Sequence, residues 1–182
     1  MFKHLCPDLC LGSLLDVELG KLKSQGYRGI ILDIDNTVVP WSDENIGQAV
    51  ITWVEEGKEI GFAFCLASNA LKQRAEQVGH ALGMPAVFRA IKPRKRPFKE
   101  ALRILGTAAS ETVVIGDQLF TDVLGGNRMG LYTILLDPLA SNEMFWTKLV
   151  RRVERWVIRH LIEKGYISEA VTRRRLAEKE AR

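Results

Sequence analysis

Residues 29–37 read Gly29-Ile30-Ile31-Leu32-Asp33-Ile34-Asp35-Asn36-Thr37. The opening run is short, apolar and β-branched, the pattern of a parallel strand buried on both faces. It ends on two carboxylates one residue apart. The two-residue period of a strand puts Asp33 and Asp35 close together while Ile34 points into the core. In an open α/β sheet, ligands bind beyond the carboxyl ends of the strands, so this stretch suggests both a fold and the place of its chemistry.

Similar apolar runs recur outward from it. Gly61–Ala67, Ala86–Ala90, Thr112–Ile115 and Tyr132–Leu136 are strand candidates. Helical patterns fall between them, over about 45–58, 70–82, 97–107 and 119–128, and Gly83-Met84-Pro85 is a stop signal. Strands alternating with helices predict an α/β fold with a doubly wound, Rossmann-like parallel sheet. Residues 1–28 read as a helix or extended lead-in covering the sheet. A long helical pattern runs from about 143 to 163, after Pro138. The last dozen residues, rich in Arg and Glu, are expected to fray. The whole of 1–182 is expected to form one domain, with its core at about 28–140.

With 47% apolar residues the chain can bury a sizeable core, which excludes a disordered protein. Charge is unevenly placed. Residues 141–182 hold eleven Lys/Arg against six Asp/Glu, and residues 1–140 hold 15 against 16. A near-neutral body with a basic tail fits an anionic surface, lipid or nucleic acid, or simply a solvated helix face. Three cysteines, Cys6, Cys10 and Cys65, lack metal-site spacing and fit a reducing compartment. The expected location is the cytoplasm, free or peripheral on the cytoplasmic face of a membrane. No run of about 18 apolar residues reads as a membrane span, and the first residues do not read as a cleaved signal peptide.

Every unusual polar cluster falls at a strand end. Asp33, Asp35 and Thr37 close the first strand, Ser68-Asn69 the second and Lys92-Pro93 the third. Gly116-Asp117-Gln118 closes the fourth, with Thr121-Asp122 one turn later. Carboxylates this close repel and raise one another's pKa. A divalent cation removes the conflict, and an all-oxygen site with few protein ligands suits magnesium. A lysine beside such a cation balances the remaining charge of a phosphoryl group, whose transfer depends on positioning and charge compensation.

The ordered set Asp33-x-Asp35-x-Thr37, Ser68, Lys92-Pro93 and Gly116-Asp117-x-x-x-x-Asp122 resembles the haloacid-dehalogenase (HAD) superfamily. The resemblance implies that Asp33 attacks phosphorus and forms an aspartyl-phosphate, with Asp35 as general acid and then general base. It implies phosphoryl contacts for Thr37 and Ser68, and charge stabilisation together with a hold on Asp33 for Lys92. It implies Mg2+ ligation by Asp33, the Asp35 main-chain carbonyl and Asp117. Asp122 would be an outer-sphere ligand or a partner of Lys92. Asn36 and Asn69 would orient neighbours, or serve as turn and cap residues. Arg94-Lys95-Arg96 is an exposed loop tip or a contact for an anionic substrate. Gly125-Gly126-Asn127-Arg128 reads as a helix end with a tight turn.

The intervals that hold a cap domain in many members of the superfamily span 32 residues (36–67) and 23 residues (69–91) here. Neither accommodates an independent domain, so an open site without a cap is expected. Such a site suits a phosphate projecting from something large. In the last helical pattern Phe145, Trp146, Leu149, Val153, Trp156, Val157, His160 and Leu161 share one side. Lys148, Arg151, Arg152, Arg155 and Arg159 fall on the other. This basic amphipathic pattern suits an anionic membrane, and suits equally a helix packed on the sheet with its basic face in water. His160 reads as a core-edge residue, not a metal ligand. Trp41 and Trp53 read as packing residues, Trp41 also as one able to line the entrance.

Cys6-Pro7-Asp8-Leu9, Asp33–Val39 and Asp117-Gln118-x-x-Thr121-Asp122-x-x-Gly125-Gly126-Asn127 resemble the subclass III, YqeG-type branch. That branch includes phosphatidylglycerophosphate phosphatases. The implied partner is phosphatidylglycerophosphate or another phosphomonoester, with no nucleic acid favoured. The competing readings are a soluble phosphatase acting on a sugar phosphate, nucleotide or phosphoprotein, and a non-enzymatic nucleic-acid-associated or assembly protein.

Overall fold

The computed structural model describes residues 2–43, 45–140 and 145–167, with the side chains of Phe2, 145–149 and Arg151 outside that description. Six strands form one sheet: β1 (Leu9–Leu11), β2 (Gly29–Leu32), β3 (Ala63–Ala67), β4 (Ala86–Val87), β5 (Thr112–Gly116) and β6 (Tyr132–Leu136). Their order is β1-β6-β5-β2-β3-β4, and every pairing is parallel. From β2 the chain winds outward through β3 to β4, then crosses back to β5 and winds the other way to β6. The reversal lies between β2 and β5, which is where a doubly wound sheet opens a crevice.

Strand alternation divides the core. Ile30 and Leu32 join a cluster with Trp53, Val54, Ala75 and Val78 from α2 (Gln48–Glu59) and α3 (Lys72–Ala81). Ile31, between them, joins Phe98, Ala101 and Leu105 of α4 (Lys95–Leu105) on the other face. Both faces of β2 are therefore covered, as its unbroken apolar run requires. Trp53 is a packing residue whose indole donates to the Val17 carbonyl at 3.2 Å.

The structure differs from the expectation in four places. The lead-in contributes a strand, β1, beside a short helix α1 (Leu19–Ser24). Asp8 fixes its entry by accepting from the Thr133 amide at 2.7 Å and the Thr133 hydroxyl at 2.9 Å. Strand β4 is two residues long, because Arg89 and Ile91 turn into the left-handed region at φ 46° and 50°. The helix expected over 119–128 is a π-turn, Leu119–Val123, followed by α5 (Leu124–Asn127).

The fourth difference concerns α6 (Phe145–Glu163). Its inner face is Glu154, Val157, Ile158 and Leu161, packed on Leu119, Val123 and Leu135. Of the single apolar stripe read from the sequence, Val157 and Leu161 are buried, whereas Val153 and Trp156 face solvent and His160 stacks on Trp156. The expected contributions of Phe145, Trp146, Lys148, Leu149 and Arg151 lie outside the described side chains. Among the described residues no helix is long and apolar enough to cross a membrane, and no separate cap domain is present. The interval after β2 holds a turn and α2, and that after β3 holds α3.

Candidate active site

The crevice between β2 and β5 gathers four of the expected residues. Lys92 Nζ lies 2.7 Å from Asp33 Oδ1 and 2.6 Å from Asp122 Oδ1. All three side chains are buried, as is Asp117. Carboxylate oxygens of Asp33, Asp117 and Asp122 lie within 4.8 Å of one another. Burial alone would lower the Lys92 pKa, but the Asp122 and Asp33 charges reverse this and hold the ammonium protonated. Burial pushes the Asp122 carboxyl up to about 6; the Asp33 charge adds to that shift, and Lys92 and the Gln118 amide oppose it.

Three buried carboxylates are thus brought together, two of them on one ammonium. Their charges and close-set oxygens fit a hard divalent cation, which would offset their mutual repulsion. Asp122 accepts from Lys92 through Oδ1 and from the Gln118 amide through Oδ2, at 3.2 Å. It thus meets the expectation of a Lys92 partner, while its closeness to Asp33 and Asp117 keeps it in the acidic cluster. Gly116 is required here because a Cβ would overlap the Asp122 carboxyl.

The other expected residues stand at the same edge. Thr37 is buried, and its hydroxyl has no hydrogen-bond partner among the described residues. A buried polar atom left this way suits a polar ligand. Ser68 is buried and its hydroxyl accepts from the Ala70 amide at 3.1 Å. Asn69 Oδ1 accepts the Lys92 amide at 2.8 Å and so fixes the loop carrying the lysine. Asn36 adopts φ 60° and accepts the Trp41 amide, a turn role. Asp35 is partly exposed and pairs with Arg74, Nε to Oδ1 at 2.7 Å. Burial raises the Asp35 pKa, the Arg74 hydrogen bond and charge oppose this, and the Asp33 charge adds to it.

A family described as HAD-hydrolase-like matches residues 90–137. The chain is 41% identical over 165 residues to Probable phosphatase YqeG of Bacillus subtilis, covering 91% of this chain and 96% of that one. The chain belongs to the YqeG family of HAD-like phosphatases. It is also 26% identical to phosphatidylglycerophosphate phosphatase 1, chloroplastic/mitochondrial, of Arabidopsis thaliana, covering 90% of this chain and 50% of that one. The chain thus spans about half the length of that plant relative. The solved structure of a predicted HAD-like family hydrolase from Porphyromonas gingivalis shares the fold, with a TM-score of 0.52 at 12% identity, covering 71% of this chain and 98% of that one.

Several YqeG-type signature positions have structural explanations. Gly125 and Gly126 let α5 approach Phe98, Val114 and Thr133, where a Cβ would clash. The Asn127 side chain donates to the carbonyls of His4 and Cys6 at 3.0 and 2.8 Å, tying the lead-in to the sheet. Arg128 is at the surface and contacts the Pro93 carbonyl at 3.4 Å.

Two residues of this HAD-like phosphatase escaped the sequence reading. Arg74 holds Asp35 and also donates to the Asp43 and Pro40 carbonyls at 3.0 and 3.2 Å, pinning the turn after β2 against α3. Glu154, buried in α6, accepts from the Leu119 amide at 2.7 Å and the Phe120 amide at 3.3 Å through one oxygen. It therefore holds the turn between Asp117 and Asp122. Neither had a local signal: an Arg and a Glu on amphipathic helices read as solvated charges.

Proposed function

We propose that this protein is a Mg2+-dependent phosphomonoesterase that converts phosphatidylglycerophosphate to phosphatidylglycerol. The observation carrying the reading is the buried Asp33–Lys92–Asp122 cluster with Asp117, set at an edge that no cap domain closes. Asp33 attacks phosphorus; a P–O bond forms to its carboxylate and the ester P–O bond breaks. Asp35 gives its proton to the departing alkoxide. Water then attacks the aspartyl-phosphate, Asp35 accepts its proton, and Asp33 is regenerated with release of inorganic phosphate.

An acid that must also act as a base needs a carboxyl able to change protonation near working pH. The raised Asp35 pKa supports this role, and Arg74 keeps the side chain oriented. Lys92 balances charge on the phosphoryl oxygens while holding Asp33, and Thr37 and Ser68 bind those oxygens. Asp33, Asp117 and the Asp35 main-chain carbonyl would hold the cation, with Asp122 in reserve as the Lys92 partner. Bound there, Mg2+ would neutralise charge developing on the phosphoryl group.

The lipid substrate is supported by the near-complete coverage of this chain by a phosphatidylglycerophosphate phosphatase relative and by the open edge. Exposed Arg152 and Arg159 on α6 support the proximity of an anionic membrane, with the cytoplasmic face as the proposed location. The test is phosphate release, with and without Mg2+, from a panel of phosphatidylglycerophosphate, glycerol phosphate, nucleotides and a phosphopeptide. Preference for the lipid is expected. Faster release from a soluble ester would replace the substrate, and no Mg2+-dependent release from any member would end the enzymatic reading.

A further inference from the structure

Three loops at adjacent strand ends frame the edge above Asp33. The turn after β2 carries Trp41, the β3–α3 loop carries Leu71, and the β4–α4 loop carries Phe88 and Ile91. They are joined by hydrogen bonds: Ala90 N to Ser68 O at 3.0 Å, Arg89 N to Ala70 O at 3.1 Å, and Arg74 to the turn after β2. All four apolar side chains are exposed, Leu71 by 66% and Ile91 by 58%.

Single exposed apolar residues are ordinary, but two of these stand where the backbone favours something else. Leu71 is the N-cap of α3 and makes no side-chain cap bond, at a position that favours Ser, Thr, Asp or Asn. Ile91 adopts φ 50°, which is costly for a β-branched residue and tolerated by Asn or Gly. Both aliphatic side chains project into solvent and add little to the core. Local rules broken in favour of exposed aliphatic groups point to a partner outside the chain. The adjoining segment 88–99 contains six Lys/Arg and no Asp/Glu, and Arg89, Arg94, Lys95 and Arg96 are exposed.

We infer that this edge docks on an anionic lipid bilayer. Leu71, Ile91, Phe88 and Trp41 enter the boundary between headgroups and acyl chains, and Arg89 and Arg94 of the loop, with Lys95 and Arg96 of the first turn of α4, take the anionic headgroups. The inference rests on the lipid reading above and deepens it: the catalytic edge enters the bilayer, while Arg152 and Arg159 of α6 add only electrostatic attraction. A headgroup phosphomonoester then reaches Asp33 without leaving the bilayer. A nucleic acid fits less well, because Leu71 and Ile91, the most exposed of the four, have no π-face on which a base could stack.

The test uses Leu71→Ser and Ile91→Asn, alone and together. Each substitution suits its backbone position better than the native residue, so misfolding is not the expected outcome, and thermal unfolding checks this. Binding of the full chain is measured by co-sedimentation with vesicles of phosphatidylglycerol and phosphatidylcholine, without substrate. Each variant is expected to bind roughly tenfold more weakly or worse, with Mg2+-dependent hydrolysis of the soluble ester p-nitrophenyl phosphate retained. Trp156→Ser on α6 is expected to bind within about twofold of wild type, on the same reasoning. Wild-type binding by the double variant, or no binding of anionic vesicles by the native chain, overturns the proposal. Loss of binding confined to Trp156→Ser overturns it in favour of α6, and RNA binding abolished by the double variant overturns it in favour of a nucleic acid. Vesicle binding without any hydrolysis would instead locate the failure in the phosphatase reading.

Discussion

Replacing Glu154 tests whether the last helix belongs to the catalytic apparatus. In Glu154→Leu the Leu119 and Phe120 amides lose their shared acceptor, and Leu119 is fully buried. A buried amide deprived of a charged acceptor costs about 1.5–3 kcal/mol. The longer Phe120 bond adds less, for a total of about 2–4 kcal/mol. For a domain of this size that corresponds to a fall in melting temperature of about 5–15 °C. Glu154→Gln keeps a carbonyl oxygen for both amides and loses only the charge assistance, so about 1 kcal/mol is expected. Because the turn lies between Asp117 and Asp122, Glu154→Leu should also need more Mg2+ to reach half of its thermal stabilisation, and Glu154→Gln should recover most of the native response. Scanning calorimetry across a Mg2+ series reads both quantities. A Leu variant melting within about 1 °C of wild type, or a Gln variant no better than the Leu variant, would refute the reasoning.

Three other substitutions probe the site itself. Asp33→Asn should keep the folded circular-dichroism spectrum while turnover falls at least about a thousandfold, since the nucleophile is lost. Lys92→Met leaves buried carboxylates without their ammonium and should destabilise the Mg2+-free protein by about 3–5 kcal/mol. Added Mg2+ should recover more of that loss than it adds to wild type, and equal gains would contradict a shared electrostatic cluster. Arg74→Leu removes the group that opposes the rise in the Asp35 pKa, so Asp35 is less ionised at a given pH. The acid limb of the pH–rate profile for aspartyl-phosphate hydrolysis should move to higher pH, and a shift to lower pH would remove Asp35 from the base role.

Much of this was readable along the chain. Gly29–Leu32 and Thr112–Ile115 are buried on both faces, and strands of that kind show as unbroken apolar runs. Asp33 and Asp117 were legible because each follows such a run, and Lys92 because it and Pro93 complete an ordered set of polar strand ends. β1 was not, because three residues carry too little period to distinguish a strand from an extended lead-in. The apolar stripe on α6 is visible in the sequence, but not which part of it is buried. Helical spacing groups Val153, Trp156, Val157 and Leu161 on one flank, but which part of that flank touches the sheet depends on where the helix docks.

The order of short apolar runs and polar strand ends by itself determined a parallel α/β sheet, its catalytic edge and the carboxylates delivered there, because these follow from periodicity within a few residues. Only the tertiary structure decided that Lys92 bridges Asp33 and Asp122, that Arg74 holds Asp35, and that Glu154 holds the turn beside Asp117. Those contacts join residues 30 to 59 positions apart. Their partners are chosen by how helices cross the sheet, and no local pattern encodes that.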